Sequence, residues 1–172
     1  MSAQPEVWLR GPLPDILPQL QPPAHALLQA KEEVQLIMKD FPGELLWERP
    51  ASVASVAFHL QHLTGVLDRL FTYAGGNLLT ESQHVYLKAE GRESPNTDAE
   101  QLVNAFLQKV DESIENLKGM RTETLYEFRG VGRARLPSTT IGLIFHAAEH
   151  TMRHVGQLLV TAKILKADAA SS

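Results

Sequence analysis

Residues 141–159 read Ile141-Gly-Leu-Ile-Phe-His146-Ala-Ala-Glu149-His150-Thr-Met-Arg153-His154-Val-Gly-Gln157-Leu-Leu159, and their periodicity decides the fold. On a helical wheel Ile141, Ile144, Ala148, Val155 and Leu159 share one face, while Glu149, Arg153 and Lys163 mark the side nearest solvent. The helix is apolar around most of its circumference, as expected of one packed on several sides. It should start at Pro137-Ser138-Thr139 and run to about Lys166. Its three histidines recur every four residues. Each such step turns a helix by roughly 40° and climbs about 6 Å, so His146 and His154 lie about 12 Å apart and His150 belongs to both neighbouring pairs. By wheel position His150 and His154 form the pair facing inward, since His146 falls closer to Arg153.

Working outward, a second histidine cluster, His59-Leu-Gln-His62, lies in another helical pattern. Val56, Leu60, Leu63, Leu67, Leu70 and Phe71 keep that spacing up to Gly75-Gly76, with Ser52 or Ser55 as the cap. A first helix is expected over 24–40 from Leu27, Leu28, Val34, Ile37 and Met38. Before it, the six prolines between Pro5 and Pro23 exclude a long helix and predict an extended arm packed through Trp8, Leu9, Leu13, Ile16 and Leu20. Residues 77–96 read as a long loop that could cover a site. Thr97-Asp-Ala-Glu100 reads as a capping box opening a third helix that reaches Leu117. Between Lys118 and Leu136 no helical period exists, and Gly130-Val131-Gly132 suggests a short hairpin. The expectation is an all-α, four-helix bundle. It forms one domain over 1–172, with a proline-rich N-terminal arm (1–23), the bundle (24–166) and a flexible tail (167–172).

The chain has 172 residues, 44% of them hydrophobic, enough to bury one core. A net charge of -4 provides no basic excess for nucleic acid or an anionic membrane surface, so neither is an expected partner. No apolar run is long enough to span a bilayer, and no signal peptide is evident. There is no cysteine, which excludes thiolate ligands and fits a cytoplasmic setting. Any metal sphere must be built from nitrogen and oxygen.

A lone histidine is usually a satisfied core residue, but two clusters on long apolar helices point to a metal site. One adjacent pair from the last helix and one nitrogen from the second helix would make three ligands and leave a position open for water or substrate. On the second helix His59 and His62 both qualify by phase. His146-Ala-Ala-Glu149-His150 also matches the H-x-x-E-H pattern of inverted zinc peptidases, in which the glutamate is the general base. The context disagrees: those enzymes take a further acidic ligand downstream, and after His154 this chain offers only Asp168.

Two stretches carry a resemblance. Ser55-Val-Ala-Phe-His-Leu-Gln-His62-Leu and His150-Thr-Met-Arg-His154-Val-Gly-Gln157 resemble, in order and separation, the corresponding runs of the DinB-like superfamily. This is the family of DNA-damage-inducible, YfiT-type proteins and related thiol-dependent transferases. The resemblance covers nearly everything after the arm. It implies a DinB/YfiT-like four-helix bundle, commonly a homodimer, with a divalent ion such as zinc or nickel on His62, His150 and His154. The chain departs from the family by having Val155 where an arginine often follows the last histidine. It also offers His59 as a competing match if the helix starts at Ser52.

Gln157, one turn from His154, and Arg153 are candidates to orient a ligand or contact substrate. Arg69 and Tyr73 fall on the His62 side of the second helix, where packing is the simpler role. The function expected from the resemblance is a metal-dependent enzyme that joins a low-molecular-weight thiol to a small electrophile, or performs metal-assisted hydrolysis. The alternative is a non-catalytic metal- or ligand-binding stress-response module. The last helix also predicts a homodimer, because one apolar face can serve the core and another an interface.

Overall fold

The computed structural model describes residues 4–94 and 97–171. Four long helices make the bundle: α1 (Gln21–Met38), α2 (Val56–Ala74), α4 (Ala99–Lys118) and α5 (Thr140–Ser171), with a short α3 (Glu81–Ala89) between α2 and α4. The main packing runs α1 to α5 to α2 to α4 and back to α1, so α1 and α2 sit diagonally across the bundle. Leu27 and Val34, Leu60, Leu63 and Leu67, Phe106 and Val110, and Ile144 and Leu158 are fully buried contributions from the four helices. Each such apolar side chain contributes about 1.5–3 kcal/mol by leaving water. The all-α reading holds.

Helix ends follow local chemistry. The α1 helix begins at Gln21, three residues earlier than the sequence suggests, because Pro22 and Pro23 occupy its first turn, where a missing N–H has no intrahelical partner to lose. Ser55, not Ser52, caps α2, its side chain accepting from the Phe58 amide at 3.1 Å. At α4 the cap is Asp98, one residue after the expected Thr97. Asp98 accepts from the Gln101 amide at 2.7 Å and Gln101 reaches back to the Asp98 amide at 3.3 Å, so Gln101 replaces Glu100 in the box.

Four further expectations are corrected. The 77–96 stretch is not all loop, since α3 forms within it behind a Thr80 and Gln83 capping box. Pro137 and Ser138 do not start the last helix. They belong to β2 (Leu136–Thr139), antiparallel to β1 (Phe128–Val131) in the hairpin foreseen near Gly130. Leu136 and Pro137 are exposed on that ribbon, while Thr139 turns the chain by accepting from the Gly142 amide at 3.1 Å. The helix α5 continues through residues 167–171, beyond the expected end at Lys166 and into the segment read as a flexible tail. In the arm, two 3-10 turns replace an extended run. Ile16 and Leu20 pack into the core as expected, but Trp8 and Leu9 are exposed and Val7 is the buried side chain.

Candidate metal centre

Because α2 and α5 pack along one another, their histidine clusters meet. The ring of His62 lies 4.4 Å from that of His154 and 5.2 Å from that of His150 between centroids, and His150 and His154 are 4.6 Å apart. One ring nitrogen from each of the three lies within 4.8 Å of those of the other two. The closest approach is His62 Nε2 to His150 Nε2, 2.9 Å. His146 faces solvent with Glu149, Nδ1 to Oε1 2.7 Å.

The orientation of His62 has a definite cause. Its Nδ1 lies 2.7 Å from Glu90 Oε2, and a carboxylate there accepts the Nδ1–H and leaves the Nε2 lone pair facing His150. Arg69 donates to the other carboxylate oxygen at 2.6 Å. Burial alone would raise the Glu90 carboxyl, but the hydrogen bonds from His62 and Arg69 outweigh it and hold it below the usual carboxylate range. Phe58 stacks on the His62 ring at 5.3 Å with planes 10° apart. Glu90 follows the last residue of α3, so the segment read as a covering loop delivers the residue that orients His62. Sequence reasoning missed it. Thr80-Glu-Ser-Gln83 was a legible helix signal, but nothing local linked Glu90 to a histidine 28 residues before it.

His59 is not equivalent to His62. It is buried and its Nδ1 lies 3.2 Å from His154 Nδ1, which leaves Nε2 as the nitrogen His154 can offer elsewhere. Burial, with His62 beside it, pushes the His59 pKa down to about 4. Burial, together with the neighbouring His62, His150 and His59 rings and Arg153, likewise lowers His154 to about 4. His150 is lowered too, first by burial and then by its histidine neighbours. Neutral imidazole is the form that binds metal. His150 Nδ1 is buried with no hydrogen-bond partner among the described residues.

These residues fit a divalent ion. Two nitrogens each about 2.0–2.1 Å from one ion stand about 2.9–3.4 Å apart for angles from roughly 90° to tetrahedral, and the His62 to His150 spacing falls within that range. Arg153 donates to Glu149 at 2.6 Å, and Arg153 and Gln157, the candidates to orient a ligand or contact substrate, both line a cavity beside His59. Neither hydrogen-bonds a histidine of the triad. Arg69 reaches the site only through Glu90.

A family model described as the DinB superfamily matches residues 26–158, from α1 into α5 and across both histidine clusters. The chain belongs to the DinB superfamily. No curated protein matches it. The metal association of the DinB superfamily and the clustered imidazoles agree that the chain has a group able to hold a metal ion. Among the described residues no helix of this DinB superfamily protein is long and apolar enough to cross a membrane.

Proposed function

We propose that the protein is a divalent-metal-dependent enzyme whose ion, zinc or nickel, is held by His62, His150 and His154. One observation carries this reading: three imidazoles from two helices converge, and a buried carboxylate, Glu90, sets the tautomer of one of them. Such a carboxylate and histidine pair is the arrangement that surrounds bound metals generally. The ion, when bound, would supply a Lewis acid that favours the thiolate or hydroxide form of a small nucleophile at neutral pH. The chain's own residues bind and orient. Glu90 and Arg69 fix His62, Phe58 holds its ring plane, and His59 accepts or donates at His154 Nδ1.

The reaction proposed is transfer of a low-molecular-weight thiol to a small electrophile, with metal-assisted hydrolysis as the related reaction. With no cysteine in the chain, the thiol must come from solution. Metal-loaded protein incubated with a low-molecular-weight thiol and a chromogenic electrophile should show turnover that chelation removes. Equal rates before and after chelation would favour a non-catalytic binding module instead. A homodimer is proposed on the same footing, supported by the large apolar side chains that α5 leaves exposed, Phe145 and Ile164 among them. A monomeric mass at micromolar concentration would overturn it.

A further inference from the structure

A cavity of about 480 Å³ borders His59 and the turn of α5 that carries Arg153, Gly156 and Gln157. Its size lies within the range of small-molecule sites. Val53 and Ala54, just before α2, and Val160 supply apolar wall, and no carboxylate is among the lining side chains.

The triad, taken as metal ligands, fixes where protons sit around this cavity, and the ligand inferred for the cavity rests on that assignment. His59 Nδ1 and His154 Nδ1 are 3.2 Å apart and share one proton. With His154 Nε2 committed to an ion, that proton belongs to His154 Nδ1, and His59 Nδ1 accepts it. A neutral His59 then carries its own proton on Nε2, the ring atom left to meet the cavity. Arg153 uses Nη2 toward Glu149 and keeps its other N–H groups, and Gln157 adds a side-chain amide. Glu149 offsets part of the guanidinium charge, which limits the affinity without removing the donors.

We propose that this cavity binds the carboxylate of a small acid with an apolar tail, through His59 Nε2, Arg153 and Gln157. Charge-assisted hydrogen bonds select the carboxylate over a neutral amide of the same shape, and the aliphatic wall takes the tail. The acid is thereby tied through His59 to His154, so its binding and metal binding should reinforce one another.

Hexanoate is a suitable probe, with hexanamide as its uncharged match. In zinc-loaded protein followed by heteronuclear NMR, hexanoate should shift the amide signals of Gly156 and Gln157 and bind about tenfold more tightly than hexanamide. Gly156→Leu makes the decisive variant. A Cβ built at Gly156 meets no atom within 4 Å, so the new side chain enters the cavity without displacing backbone, and leucine favours the helix over glycine. That variant should keep its zinc stoichiometry and lose hexanoate binding. Arg153→Gln should bring the hexanoate and hexanamide affinities together. Equal affinity for the two probes in the native protein, hexanoate binding retained by Gly156→Leu, or no response at Gly156 would each overturn the proposal. Zinc stoichiometry measured on the same samples separates the two readings: failure to bind zinc counts against the metal assignment, failure to bind hexanoate against the carboxylate site.

Discussion

Gly65→Ala sets helix propensity against the site. Gly65 is buried in α2 one turn after Gln61, and a Cβ built there would press on Glu90 Oε1, lie 2.6 Å from Arg69 Nη1 and 2.9 Å from the Tyr86 ring. In an unconstrained helix, alanine in place of glycine is favourable by about 1 kcal/mol. Here the methyl group must displace the Glu90 carboxylate, which carries the hydrogen bonds to His62 and Arg69. Hydrogen bonds to charged groups are worth about 1.5–3 kcal/mol each, so losing one outweighs the propensity gain by about 0.5–2 kcal/mol and losing both by about 2–5 kcal/mol. For a chain of this length the melting temperature should fall by roughly 1–8 °C if one bond is lost and roughly 4–20 °C if both are. Without its carboxylate partner His62 loses orientation, and zinc affinity should drop by about 10- to 100-fold. Thermal unfolding of the metal-free protein and competition titration with a chromogenic chelator measure the two effects. A variant more stable than the parent, with unchanged zinc affinity, would refute the claim that Glu90 organises the site.

His150→Ala should abolish stoichiometric metal while circular dichroism still reports a folded helical protein, because His150 is only partly buried; metal retained by that variant removes it from the ligand set. Glu90→Gln should lower zinc affinity less than Glu90→Ala, since the amide oxygen can still accept from His62, and isothermal titration would rank the two. In metal-free protein, acid should destabilise the fold through His59. Its native pKa of about 4 lies below the ordinary value of 6.5, so the unfolded chain takes up the proton first. Stability is full above about pH 6.5 and falls progressively towards pH 4, by up to about 3 kcal/mol from this group. Denaturant melts across that window should show the slope in the parent and a flatter one in His59→Gln. Equal slopes would mean that His59 is protonated as readily in the native state as in the unfolded chain.

What was legible in the sequence was whatever repeats along a helix. The Val56 to Phe71 and Ile141 to Leu159 periodicities located α2 and α5, and the four-residue histidine spacing on α5 made His150 and His154 neighbours. The meeting of His62 with that pair followed from the resemblance, since helical phase alone left His59 and His62 equal. What separates them is tertiary. Glu90 takes His62 Nδ1, whereas His59 is buried against His154. The α3 helix was missed because it buries no side chain and so lacks the apolar period by which helices are recognised. Its polar cap at Thr80 and Gln83 was the only cue. Pro137-Ser138-Thr139 misled because a proline followed by hydroxyl residues also suits a strand leading into a cap, and only pairing with β1 decides between the two. Arg153 and Gln157 are legible as candidates only through their closeness to His154 in sequence; that both line one cavity with His59 is a tertiary fact.

The enzymatic reading of this chain depends on one divalent ion sitting on His62, His150 and His154. A crystal structure of metal-loaded protein, with anomalous data collected on both sides of the zinc and nickel absorption edges, addresses that ion without intermediaries. A single strong anomalous peak is expected about 2.0–2.2 Å from one ring nitrogen of each of these three histidines, with Glu90 still bonded to His62 Nδ1. A peak on His146 and Glu149 instead, or no peak near His62, would contradict the assignment.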